Sequence, residues 1–298
     1  MKPMNPVCVG VALAMVTSSA VHAQPRTGWL FQTDGLLAYQ GNADLDDGGD
    51  VSSTRTALRF GAFFQFESGP APGIVVSVGQ QNYDFGGDAV KLWDDVNAFS
   101  VSVPIRFAFG QNGGGFVAPS ARWRYEEGAR KSDSMTYGLF AGISWQVTEA
   151  LRVGPAFGAF SELEGGGINA FPALLLDWEI TERWSLSTGS GVAATQGPGL
   201  RLSHAYSDTI NISLAARAEN AEFRLDKSGL APDGVGKDSS IPVVLELDYN
   251  PNPGLSVSVF AGAAFNGELT LENSDGRNVN KQSYDTAPIA GFAFRVRF

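Results

Sequence analysis

The chain has 298 residues, 44% of them hydrophobic, with 36 Gly and 11% aromatics. Its formal net charge of −10 leaves no basic stripe to neutralise phosphates, which excludes a nucleic-acid binder. Beyond the N-terminal segment, no apolar run approaches the ~20 residues of a membrane helix.

The chain begins with Lys2, an apolar stretch over residues 7–16, and small residues ending at Val21, His22 and Ala23. These are the charged, apolar and small-residue parts of a secretory signal peptide, with cleavage expected after Ala23. Residues 1–23 are then a removed leader and residues 24–298 the mature domain. Cys8, the only cysteine, lies inside the leader, so the mature chain carries no thiol into an oxidising compartment.

After Ala23, period-2 alternation dominates, the mark of strands with one apolar face. Residues 54–66 place Leu58, Phe60, Ala62, Phe64 and Phe66 on one face, with Phe63 as an exception. Residues 96–109, 135–147, 241–249 and 255–265 repeat the pattern. Weaker segments are 29–39, 74–83, 117–126, 151–161, 170–180, 184–192, 200–206 and 209–224. The 200–206 segment is short and 209–224 breaks register near Asn220, each of which suggests a bulge or a miscounted hairpin. The final stretch, 285–298, sets Phe298, Val296, Phe294, Phe292 and Ala290 against Arg297, Arg295, Ala293 and Gly291. The total is about fourteen strands, with twelve as the other reading.

The connections alternate. Short ones fall at 68–72, 111–115, 148–150, 181–183, 207–208 and 250–253. Longer polar ones fall at 41–53, 86–95, 127–134, 162–167, 226–240 and 268–284. The short 195–199 link breaks the trend. Trp145, Trp178, Trp184, Phe109 and Tyr249 flank short connections, and Trp123, Tyr125 and Tyr137 flank a long one. Short turns at one end, long loops at the other and aromatic girdles between predict an all-β, closed antiparallel transmembrane barrel. Its short turns face the periplasm and its long loops the exterior. Hydrocarbon tolerates no free sheet edge, so the last strand must pair with residues 29–39.

That last strand, ending on an aromatic, looks like the closing strand of a bacterial outer-membrane barrel. Phe292, Phe294, Val296 and Phe298 then resemble the signal read by the barrel-assembly machinery. Further segments are similar to a family of Gram-negative outer-membrane barrels described as a domain of unknown function: GPGLRLSHAYS (197–207), APDGVG (231–236), FAGAAFNGELTLENSDG (260–276) and YDTAPIAGFAFRVRF (284–298). The resemblance covers about the last third of the chain. It implies an outer-membrane location, among lipids and lipopolysaccharide, and brings neither substrate nor catalytic residues.

The phase of the apolar faces turns Arg59, Arg106, Arg122, Arg124, Glu126, Arg152, Asp177, Glu179, Arg201, Arg217, Glu246, Asp248, Arg295 and Arg297 into the barrel. Such a set reads either as a polar lumen that selects solutes by charge or as a salt-bridged plug. Arg295 and Arg297 are expected within reach of Asp177, Glu179, Glu246 or Asp248. The acidic loop carrying Asp44, Asp46, Asp47 and Asp50 lacks the bidentate Glu of a calcium loop and reads as solvated. His204, the one histidine after the leader, sits on the face of Leu200 and Leu202, with Ser203 turned away, so no catalytic triad forms. No metal cluster or phosphate-cradling loop emerges. The leading expectation is a passive pore or channel for small polar solutes, not an enzyme and without a cofactor. The alternatives are a structural or partner-binding barrel, a lipid-modifying enzyme, and a soluble periplasmic β-sandwich or lipocalin-like binder. No sequence feature fixes an oligomeric state.

Overall fold

The computed structural model describes residues 27–164, 166–188 and 199–298. The expected leader, with Cys8, lies outside the described residues, as do the 195–199 link up to residue 198 and the end of the 184–192 segment.

Among the described residues, seventeen strands form one sheet. The first half holds β1 (Gly28–Asp44), β2 (Asp50–Gln65), β3 (Ala71–Gly86), β4 (Val96–Ser102), β5 (Ile105–Phe109), β6 (Gly113–Glu126), β7 (Met135–Thr148) and β8 (Leu151–Ser161). The second half holds β9 (Ile168–Glu179), β10 (Trp184–Thr188), β11 (Gly199–Ala205), β12 (Ile210–Arg217), β13 (Glu219–Arg224), β14 (Val235–Asn252), β15 (Leu255–Glu272), β16 (Asn278–Tyr284) and β17 (Ala287–Arg297). Three spans are each cut in two. β4 and β5 part at Val103 and Pro104, where proline cannot donate to the ladder. β12 and β13 part at Ala218, close to the expected break at Asn220. β16 and β17 part at Asp285 and Thr286. The result is a fourteen-span antiparallel barrel.

The closing seam is β1 against β17, from Gln32 opposite Arg297 to Gln40 opposite Ile289. Phe31 and Phe298 exchange backbone hydrogen bonds at 2.8 and 3.0 Å, so the seam runs to the last residue. This matches the pairing that the lack of a free edge demands.

Large apolar side chains point outward. Trp29, Phe31, Phe66, Trp145, Trp178, Trp184, Tyr249 and Phe298 are exposed at the short-turn end. Tyr39 and Tyr137 are exposed toward the other end. Phe31 and Tyr39 lie eight residues apart on β1, as Tyr137 and Trp145 do on β7. At ~3.3 Å per residue and a tilt of about 40°, eight residues rise roughly 20 Å, close to the apolar band of such barrels.

Many inward or seam-facing rings lie over glycines. A side chain at Gly35 would strike Phe294, one at Gly158 would strike Phe171, and one at Gly267 would strike Tyr284. A glycine opposite an aromatic lets the ring lie flat along the wall, which accounts for part of the glycine content. Phe63, the exception to alternation, is one of these. It turns inward, covers Gly61 and Gly73, and sits 5.3 Å beneath the Arg106 guanidinium.

Of the expected long loops, 41–53 and 268–284 are mostly strand, and 226–240 becomes strand in its last part. β14 starts at Val235 rather than 241, and β15 continues to Glu272 and pairs with β16. Only the tight turn at 273–277 remains of the 268–284 loop. Local alternation hid this because the side-chain phase slips. Asn266 takes φ of 52°, and the β14–β15 register shifts beside it. Below the bulge Phe260 and Ala264 are buried, and above it Leu269 and Leu271 are. β1 slips likewise between Gln40 and Ala43, from buried Leu36 and Ala38 to buried Ala43 and Leu45. The break at Asp285 and Thr286 does the same between Tyr284 and Ala287. A bulge moves one residue out of the pleat and so exchanges the two faces beyond it.

The exchanged faces gather a core inside the long-loop mouth. Leu45, Val51, Leu269, Leu271 and Tyr284 from the wall pack on Leu92 and Trp93 of the 87–95 loop and on Phe223 and Leu225. β13 leans across the barrel and meets β6 at a parallel bridge, Arg224 opposite Tyr125. The mouth is therefore capped.

Candidate functional site

Below the cap, inward side chains form a charged column. Near the short-turn end, Asp34 is 1% exposed and accepts from Arg295 Nε at 2.5 Å and from Gln32 Nε2 at 2.8 Å. Arg297 Nε donates to Gln32 Oε1 at 3.1 Å, and Arg59 lies beside the same carboxylate. Arg295 and Arg297 thus meet Asp34 and Gln32 across the closing seam. The expected partners Asp177, Glu179, Glu246 and Asp248 belong elsewhere, because a residue on β17 reaches the directly opposed strand first.

Arg201 organises the next cluster. It pairs with Glu246 at 2.8 Å and with Asp248, and donates to Ser213 at 3.0 Å and Ser203 at 3.3 Å. Ser258 donates to Asp248 from the far side. Higher up, Arg55 Nη1 meets Glu219 Oε2 at 2.8 Å. Tyr83 and Tyr284 donate to the two oxygens of Asp238 at 2.9 and 3.2 Å.

Arg55 and Glu219 both border each of two small cavities. One, of about 50 Å³, lies against Arg217, Asp238 and Glu246 on its polar side and Val244, Phe260 and Ile289 on its apolar side. The other, of about 70 Å³, adds Ser77, Gln81, Arg124 and Asn220. Each has room for one or two waters.

The remaining expected residues are dispersed. Arg106 faces Phe63, Arg152 lies near Asp177, and Asp177 near Glu179. Arg122 lies 4.1 Å over the Phe160 ring. Glu126 ends β6 at the cap. Its two oxygens accept the backbone N–H groups of Asp94 and Asp226, at 2.5 and 2.8 Å, tying two loops to one carboxylate. Arg224 is a second tie. It donates to the carbonyls of Asp133, Asp233 and Leu163 at 2.9, 2.8 and 2.9 Å, and pairs with Glu164.

Sequence reasoning missed Asp34, Arg55, Glu219, Asp238 and Arg224. Arg55 was detectable, since it lies four residues from Arg59 on the same face of one strand. Asp34 was detectable too, out of phase with the outward Phe31, Leu37 and Tyr39. The lumen also carries apolar patches that the charge list did not contain. One joins Leu36, Val244 and Phe260, another Phe116, Ala156 and Leu175.

His204 faces outward and packs its ring 4.5 Å from Trp184, while Ser203 turns inward to Arg201, as the alternation required. Asp44 and Asp50 face each other across the β1–β2 hairpin. Among the described residues no group of three or more His, Cys, Asp or Glu is placed to hold a metal ion.

A barrel closed by its first and last strands, girdled outside and charged within, has one setting in which every surface is satisfied. The fold is that of an outer-membrane β-barrel. Among solved structures, an outer-membrane channel from Pseudomonas putida F1 aligns over 95% of this barrel's chain and 100% of its own, with a TM-score of 0.50 and 10% identity. The P. putida toluene transporter TodX aligns over 92% and 91%, with a TM-score of 0.45 and 9% identity. A Pseudomonas aeruginosa FadL homologue aligns over 90% and 88%, with a TM-score of 0.42 and 12% identity. No protein-family model and no curated protein matches the barrel's sequence.

Proposed function

We propose that this barrel is a passive channel of the Gram-negative outer membrane for small polar solutes, held closed at its outer mouth in the state described. The observation that carries the reading is the set of inward ion pairs of both signs, Asp34 with Arg295, Glu246 with Arg201 and Glu219 with Arg55. A barrel needing only a filled interior has no use for it, since buried ion pairs add little net stability over apolar packing of the same volume. Lumen charges of both signs are the ordinary means of selecting solutes.

On this reading the short turns face the periplasm and the capped end faces out. The leader is removed after Ala23, and Phe298 with its outward neighbours is read during assembly into a bilayer carrying lipopolysaccharide. No step of this role asks for an enzyme. Planar-bilayer recording of the refolded barrel tests the channel. Discrete conducting steps that grow when the 87–95 loop is shortened are expected. Silence in both proteins at every voltage sinks the reading and leaves the structural alternative, which the cap core favours.

A further inference from the structure

The inward face of β6 carries two polar side chains whose buried ends have no hydrogen-bond partner. Arg122 is 6% exposed, and its Nη1 and Nη2 are buried without a hydrogen-bond partner. No carboxylate of the described residues lies within ion-pair distance of it, whereas Arg55, Arg201, Arg224 and Arg295 each hold one. Two residues back on the same face, Ser120 Oγ is also buried and without a partner. A buried donor left without a partner is costly, and more so when it is charged.

The guanidinium carbon of Arg122 lies 4.1 Å over the Phe160 ring. A ring contact makes no hydrogen bond, so Nη1 and Nη2 stay without a partner, and these are the groups that fork onto a carboxylate. Beside them runs an aromatic wall. Phe160 stacks on Phe171 at 6.2 Å, Phe171 on Phe140 at 6.4 Å, and Phe140 meets Phe116 at 5.3 Å. Gly138 and Gly158 let these rings lie along the strands, so the wall is broad and apolar.

We propose that Arg122 and Ser120 form the anion-holding end of a lumen subsite for a small carboxylate with an aromatic body, the body lying on the Phe140–Phe171–Phe160 wall. The proposal deepens the channel reading and rests on it for how such a molecule arrives. Both guanidinium nitrogens are covered, so the ligand enters as a neighbouring ring changes rotamer.

The probe is 4-fluorobenzoate, followed by its fluorine NMR linewidth on the full barrel folded in detergent. Broadening by the wild-type protein is expected, with affinity about ten- to hundredfold weaker in Arg122→Gln, the worth of a charge-assisted fork. Arg183→Gln, in a short turn, should bind as wild type. The neutral 4-fluorobenzyl alcohol should stay sharp. Equal binding by Arg122→Gln overturns the proposal, and so does acetate competing as well as benzoate, which would mark an anion site without an aromatic subsite. Heat-modifiable gel mobility certifies each variant as folded. Should Arg122→Gln fail to fold, Arg122→Lys, which keeps the charge and loses the fork, carries the same expectation. Binding is read without current. A barrel that binds yet never conducts keeps the subsite and loses the channel, and one that conducts without binding loses the subsite.

Discussion

At the residue scale, the lumen is ruled by the cost of burying charge. Asp34 is almost wholly buried and answers Arg295 directly, with Arg59 close by. Deleting one partner of such a pair leaves the other charged and desolvated, at about 3–5 kcal/mol. Asp34→Ala should therefore lower the temperature at which the folded gel band converts to the unfolded one, and by more than Arg295→Ala does. The arginine variant leaves a carboxylate that can take up a proton, whereas the aspartate variant strands guanidinium groups that cannot lose theirs. An unchanged conversion temperature in Asp34→Ala would show that the lumen is wet enough there to solvate both arginines.

At the element scale, the cap is a product of bulges and ties. Slips at Gln40, Asn266 and Asp285 turn apolar residues inward only above one level of the barrel. That produces a core at the mouth without a separate plug domain. Arg224 then gathers carbonyls from three loops, and Glu126 gathers two backbone amides. Arg224→Ala removes three bonds to carbonyls and the pair with Glu164 at once, and should loosen the cap while leaving the wall intact. Ala231, 2% exposed in the cap core, is a usable reporter because the mature chain is expected to have no thiol. In an Ala231→Cys background, Arg224→Ala should speed labelling by a membrane-impermeant maleimide about tenfold or more, the effect of some 1.4 kcal/mol on a local opening. Equal rates would mean that the apolar core alone holds the mouth.

At the scale of the whole molecule, closure is the governing constraint. Every span must find two neighbours, and the last to be satisfied is the β1–β17 seam, which ends at Phe31 and Phe298. Phe298 is 70% exposed and stacks on Phe31 at 5.8 Å, so it adds little to the packed interior. Its deletion should cost insertion far more than stability. In cells, the deletion variant should leave the outer-membrane fraction, while Arg295→Ala and Arg297→Ala reach it with altered lumen properties. The intact mass of the wild-type protein from the same fraction should correspond to a chain beginning at Gln24. Normal insertion of the deletion variant, or a mass that retains the leader, would each remove one part of the export route.

The sequence by itself determined the wall. Alternation needs only neighbours two apart, so strand number, facing, girdles and the closing pair were legible in segments such as 151–161, which β8 reproduces to the residue. The expectation of inward charges from Arg59 to Arg297 rests on the same phase. Only the tertiary structure decided who meets whom. Arg295 finds Asp34 261 positions away, and the cap joins residues from Leu45 to Tyr284. Partnerships across a seam depend on register, and register shifts by a single residue at each bulge. A local pattern cannot sum those shifts around fourteen spans. The same limit hid the outer mouth, where faces exchange and a stretch read as polar loop is wall and core instead.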